Sequence, residues 1–287
     1  MKKRLLRALY LSIIAGTFLA CPLDPPVPTP PPVDEDTVCL ANIQTRASTS
    51  RFAAERFLTQ PRIVGGVNAA DGEFPWAIAL TTTSGFQFCG AAYVGDGFAI
   101  TAAHCRVKPG DLAVLGRVDL RTDAGEAFPV GSVATHANYN DQTSENDIAL
   151  LKLLGDTSDF EGLLNTENVL GANEDVVVVG WGLTEENGTP SPTLRKVSLR
   201  TVTNESCDLV YGGITDTMLC AGIPEGGRDS CQGDSGGALI IQDNSRVQWQ
   251  HGIVSFGFGC AQPGVPGVYT RTSEFVDWEL ICRTALK

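Results

Sequence analysis

Gly233-Asp234-Ser235-Gly236-Gly237-Ala238-Leu239-Ile240-Ile241 sets a glycine-rich turn directly before a short apolar run. The same texture recurs from Ile63 onward, in Trp76 to Leu80, Phe98 to Ala102, Val176 to Val179, Val197 to Thr201 and Gly252 to Phe256. Runs of about four to eight such residues with turn signals between them are strand signals, and many in one chain predict a barrel or sandwich. Only the tail reads as helical: Ser273 suits an N-cap, and Phe275, Trp278, Ile281 and Cys282 fall on one face behind it. No internal repeat is evident. The expected class is all-β with a C-terminal helix.

The remaining sequence bounds what such a domain does. At 287 residues, with 43% hydrophobic and 19% charged residues, the chain has the composition of a globular protein with a sizeable core. A net charge of -12 leaves no basic excess to neutralise phosphates, which excludes nucleic acid as a partner class. Lys2, Lys3, Arg4 and Arg7 precede an apolar run from Ala8 to Ala20, the layout of a secretory signal over residues 1–21. That run is shorter than the roughly 20 apolar residues that span a bilayer. Export implies an oxidising compartment, so the nine cysteines read first as disulfide partners. Nine is odd. Cys21 follows Phe18-Leu19-Ala20 and resembles a bacterial lipoprotein cleavage box with phenylalanine where leucine is usual. Two readings stay open: a lipidated membrane anchor, or a thiol left unpaired or removed with the leader. Residues 22–33, with Pro30-Pro31-Pro32, suit an extended spacer. The polar stretch that follows, to Arg62, reads as a propeptide, so residues 22–62 form linker and propeptide and 63–287 the main domain.

Serine-based peptide hydrolysis needs a hydroxyl, a base, a carboxylate that orients the base, and amides aimed at an oxyanion. The chain has three histidines. His136 in a polar loop and His251 at a strand entrance read as structural or solvated. His104 ends the apolar Ile100-Thr101-Ala102-Ala103 run, Asp147 heads the strand-like Asp147-Ile148-Ala149-Leu150-Leu151, and Ser235 sits among small residues that let a substrate approach.

Thr101-Ala102-Ala103-His104-Cys105, Asn146-Asp147-Ile148-Ala149-Leu150 and Gly233-Asp234-Ser235-Gly236-Gly237, in this order, resemble the trypsin–chymotrypsin family of serine peptidases. Ile63-Val64-Gly65-Gly66 and Gly180-Trp181-Gly182 belong to the same resemblance, which runs from Ile63 to about Trp278. It implies two antiparallel six-stranded β-barrels with the site between them. Ser235 would be the nucleophile, His104 the general base and then acid, Asp147 the orienting carboxylate, and the amides of Gly233 and Ser235 the oxyanion hole. Asp229 corresponds to the floor of the substrate pocket, with Gly257 and Gly267 along its wall and Ser255 also among the substrate-binding residues, which implies protein or peptide substrates cleaved after Arg or Lys. Arg62-Ile63 matches the activation site, where a cut would free the α-amino group of Ile63 to pair with Asp234. A monomer that needs no cofactor or metal is implied.

The resemblance also implies disulfides Cys89–Cys105, Cys207–Cys220 and Cys231–Cys260; with Cys21 lipidated, Cys39 and Cys282 remain as a fourth pair. Three positions depart from the pattern. Phe256 stands where tryptophan is usual on the pocket wall, Arg117 falls near the first acidic ligand of calcium-binding members, and Pro266 replaces the tyrosine of sodium-responsive ones.

Overall fold

The computed structural model describes residues 39, 43–44, 61–166, 168–184, 188–242 and 247–287. The chain divides into two units, residues 1–33 and 34–287. The first unit, with the expected secretory signal and Cys21, lies outside the described residues, as does most of the propeptide.

The second unit holds two closed six-stranded antiparallel barrels. The first comprises β1 (Ala77–Thr81), β2 (Gln87–Gly95), β3 (Phe98–Thr101), β4 (Leu112–Leu115), β5 (Glu126–Thr135) and β6 (Ala149–Leu153). Its order is β5-β4-β1-β2-β3-β6, and pairing of β5 with β6 closes the ring. The second comprises β7 (Asp175–Gly180), β8 (Arg195–Val202), β9 (Met218–Gly222), β10 (Ala238–Gln242), β11 (Gln248–Phe256) and β12 (Gly267–Arg271). Its order is β11-β10-β7-β8-β9-β12, closed by β11 with β12. Both rings therefore thread their strands in the same spatial order, a duplication the sequence does not display. Closure removes the exposed edges that an open sheet of this kind would present.

Period-two patterning explains the strands that face water. In β8, Val197, Leu199 and Thr201 are buried while Ser198 and Arg200 are exposed. In β1 all five residues are buried, because the strand is covered on both sides. One apolar cluster runs from Ile78, Leu80 and Phe128 of the first barrel to Val179, Trp181 and Ile240 of the second, so the rings share a core. Trp181, 1% exposed, also donates its indole N–H to the carbonyl of Val118 at 3.0 Å, stapling one barrel to the other.

Short pairings decorate the rings. Ile43–Gln44 adds to β5, Val67–Asn68 to β8, and Leu164–Asn165 runs parallel to β11. Pro61–Val64 pairs with Asp229–Cys231. Disulfides join Cys89 to Cys105, Cys207 to Cys220, Cys231 to Cys260, and Cys39 to Cys282.

The helices correct the sequence reading twice. A helix α1 (Asn204–Tyr211) that the apolar patterning did not announce is capped by Thr203, whose hydroxyl accepts from the Ser206 amide, and stopped by Gly212 with positive φ. The C-terminal helix α2 (Val276–Ala285) begins three residues beyond Ser273. A 3-10 turn over Thr272–Phe275 intervenes, so Ser273 does not cap it. Phe275, Trp278 and Cys282 are buried as expected, and Ile281 is partly so.

Replacing Trp181 by phenylalanine removes the indole N–H and part of the shared core. Trp181→Phe is expected to destabilise the fold by roughly 1–3 kcal/mol, measured as a lowered thermal unfolding midpoint.

Candidate functional site

The site forms where loops of the two barrels meet. His104 lies in a 3-10 turn, Ala103–Cys105, directly after β3; Arg106 ends that turn in the left-handed region at φ 50°. Asp147 precedes β6, behind Asn146 at φ 55°. It is wholly buried, and an unpaired carboxylate there would cost several kcal/mol. Its oxygens are instead saturated. Oδ1 accepts from the His104 amide at 2.9 Å, while Oδ2 meets His104 Nδ1 at 2.7 Å and accepts from Ser255 Oγ at 2.5 Å. Thr270 Oγ1 donates to its backbone carbonyl at 2.8 Å.

These contacts set the charges. Burial pushes the Asp147 pKa up, but the imidazole's charge and the hydrogen bonds from His104, Ser255 and the His104 amide outweigh it, and the group sits below the ordinary carboxylate range. Burial pushes His104 down; the Asp147 charge and hydrogen bond outweigh that, with Arg106 slightly opposing, so His104 sits above its ordinary 6.5. Because an ionised carboxylate only accepts, Nδ1 carries a proton and the Nε2 lone pair of the neutral ring is free to take another.

Ser235 sits in the 233–237 turn, pressed against the first barrel. Its carbonyl accepts from the Gly90 amide at 2.7 Å and lies 3.7 Å from Cys105 Sγ, one residue from His104. A Cβ on Gly236 would fall 2.2 Å from Thr101 Oγ1, which is why glycine stands there. His104 and Asp147 are thus joined directly. Ser235 shares their cleft, but its hydroxyl forms no hydrogen bond to His104 among the described residues. Such bonds are commonly long in unliganded sites and tighten when substrate binds.

Asp234 is buried behind Ser235, and its Oδ1 and Oδ2 accept from the amides of Gly182 and Cys231 at 2.7 and 2.8 Å. A Cβ on Gly180 or Gly182 would come within 2.2 or 2.3 Å of that carboxylate, which accounts for the glycines flanking Trp181. Nothing is described of the side chains of Arg62 and Ile63, but their strand lies along Asp229–Cys231.

Asp229 is 6% exposed and accepts from the amides of Ser230 and Ala261 at 2.8 and 3.0 Å. Burial dominates over these donors and pushes its pKa up to about 7. A Cβ on Gly267 would lie 3.1 Å from Asp229 Oδ1, and one on Gly257 would reach to 3.9 Å from the Gly267 Cα. The missing side chains leave room directly over the carboxylate. Ser255, expected among the substrate-binding residues, also gives its hydroxyl to Asp147, a role that no local pattern in the sequence signals.

The other sequence candidates fall elsewhere. His136 packs edge-on against Phe275 and Trp278, ring centroids 5.2 and 5.4 Å away, and burial lowers its pKa. His251 is buried, with its pKa likewise lowered by burial. Arg117 donates Nε to the Ala124 carbonyl at 2.6 Å. Ligating atoms of Cys89, His104 and Cys105 lie within 4.8 Å of one another, yet the two sulfurs are joined to each other and offer no thiolate to a metal.

A family model described as Trypsin matches residues 63–279. The chain is 40% identical to Trypsin-1 of Astacus astacus over 232 residues, covering 75% of this chain and 98% of that protein. It is 36% identical to Trypsin of Saccharopolyspora erythraea over 221 residues, 75% of this chain and 95% of the other. It is 37% identical to Transmembrane protease serine 9 of Rattus norvegicus over 267 residues, 88% of this chain but 24% of that longer protein.

The electrostatics of the pair can be read by titration. His104 is expected to titrate above 6.5 in the native protein. In Asp147→Asn, burial and Arg106 act unopposed by the carboxylate, so nuclear magnetic resonance of the imidazole should give a midpoint below 6.5.

Proposed function

The chain belongs to the trypsin family of serine endopeptidases, and on that premise we propose that it is the exported precursor of an enzyme that, once cut between Arg62 and Ile63, cleaves after arginine or lysine. The observation that carries the specificity is the buried Asp229 carboxylate beside Gly267, itself next to Gly257, so that neither position puts a side chain in the space there. A long cationic side chain fits such a space and supplies the counter-charge that the carboxylate lacks among the described residues.

In the proposed mechanism Ser235 Oγ attacks the scissile carbonyl while His104 Nε2 takes its proton. Asp147 keeps the imidazole in the tautomer that leaves Nε2 basic, and stabilises the imidazolium that forms. The amides of Gly233 and Ser235 bind the oxyanion; losing one such donor typically costs about 3 kcal/mol in the transition state. His104 then protonates the departing amine, and water, deprotonated by the same nitrogen, releases the acyl group from Ser235.

Activation follows from the pairing of Pro61–Val64 with Asp229–Cys231. The bond to be cut lies on the strand paired with the one that carries the pocket floor, so cleavage changes what rests against that floor. The freed α-amino group of Ile63, with a reference pKa of about 7.7–8.0, would pair with buried Asp234 and order the oxyanion turn. Pairing raises that pKa, so activity is retained further into the alkaline range than a free amine would allow. On the acid side, activity needs neutral His104.

Residues 1–21 act in this reading as the export signal and 22–62 as linker and propeptide, in keeping with disulfides that form in an oxidising compartment. The Cys39–Cys282 bond keeps the propeptide attached after the cut, together with any acyl anchor on Cys21.

Two measurements test the proposal. With Arg-, Phe- and Ala-ester substrates, the cut enzyme should prefer arginine; a preference for Phe overturns the pocket assignment. Because Asp229 is raised to about 7, protons compete with a bound cation below that pH. Benzamidine affinity should therefore fall about tenfold per pH unit below about 7 and level off above it. Separately, non-reducing gels after the cut should show the fragments ending at Arg62 and beginning at Ile63 still joined, and reduction should part them; separation without reductant refutes the tether.

A further inference from the structure

Gln87, the first residue of β2, has no role in the mechanism above. Its side chain belongs to the first barrel, yet Nε2 donates to the carbonyl of Gly233 in the second at 2.9 Å, and to the Cys89 carbonyl at 3.0 Å. A primary amide has two N–H donors, and both are spent on backbone oxygens.

The significance lies in peptide planarity. A trans peptide points its C=O and the following N–H in opposite directions, so whatever holds the carbonyl also aims the next amide. The Gln232 carbonyl accepts from the Leu183 amide at 2.8 Å, which aims the Gly233 N–H. The Asp234 carbonyl accepts from the Gly237 amide at 2.8 Å, which aims the Ser235 N–H. Between those planes lies the Gly233–Asp234 peptide. Its N–H donates to the Cys231 carbonyl at 3.0 Å, and its C=O is the group that Gln87 holds. Gly233, at φ 91° and without a Cβ, is the joint of the turn with the widest choice of conformations. The angle between the two outer amides is thus set by a central plane whose carbonyl is held from the opposite barrel.

We propose that Gln87 is a positioning residue for the oxyanion hole, fixing the relative orientation of the Gly233 and Ser235 amides through the Gly233 carbonyl. It touches neither substrate nor reacting atoms. The inference rests on reading those two amides as the hole, and it makes the hole a joint product of both barrels.

The test uses the full-length chain, cut with immobilised trypsin, as Gln87→Ala and as Gln87→Met, which keeps the length of the side chain and removes both donors. Each is expected to lose about tenfold in kcat/KM toward an amide substrate, mostly in kcat. A peptide arginine aldehyde, whose adduct with serine carries an oxyanion, should bind about tenfold more weakly. Benzamidine, which needs only the pocket, should bind within about twofold of the native value. Gln87→Met with native kcat/KM, or equal weakening of aldehyde and benzamidine, overturns the proposal. If native enzyme ignores benzamidine, the arginine–lysine reading fails by itself. Gln87 is then judged by the rate of labelling by a fluorophosphonate, which needs the hole but no cationic group: slowing by about tenfold in both variants upholds the role, and an unchanged rate overturns it.

Discussion

A single buried carboxylate organises the cleft. Asp147 comes from the first barrel, but its oxygens and carbonyl are satisfied by His104 from that barrel and by Ser255 and Thr270 from the second. Without those donors the charge would be too costly to bury, and with them the two rings are held in one relative position. The same contacts decide which nitrogen of His104 holds its proton. Stability of the interface and basicity of the imidazole therefore come from one set of hydrogen bonds.

Close backbone approach is the second constraint, and it explains where glycine was obligatory. Gly180 and Gly182 give way to the Asp234 carboxylate, and Gly236 to Thr101 and the Gly90 carbonyl. Each of these contacts brings the turn carrying Ser235 against an element remote in sequence. A side chain at any of these three positions would push the turn off its neighbours.

The strands were legible because short apolar runs between turn residues are a local signal, and β1, β3, β7, β8, β10 and β11 fall where such runs stand. Strand order was not legible from pattern, since which run pairs with which is settled by contacts across the whole chain; the family resemblance implied two six-stranded barrels but no order within them. Helix α1 escaped notice because Cys207 is the one residue buried in its eight, leaving almost no apolar periodicity, although Thr203 and Gly212 were capping signals in plain view. Ser273 misled because a 3-10 turn separates it from the helix it was expected to cap. The chemistry-bearing residues stood out as motifs. The hydroxyl of Ser255, 108 residues from the carboxylate it serves, did not, nor did the amide of Gln87, 146 residues from Gly233. Partnerships of that range exist only once the barrels are docked.

The identical threading of the two rings has a consequence for how such a molecule fails. Each ring is closed on itself and keeps its own ladder of hydrogen bonds, whereas the reactive groups are divided between them. A slight hinge-like parting of the halves would leave both ladders intact and the spectroscopic signature of β-structure unchanged. It would nonetheless separate Ser255 from Asp147 and Gln87 from Gly233 in one movement. Turnover would therefore register such a parting where a measure of secondary structure would not.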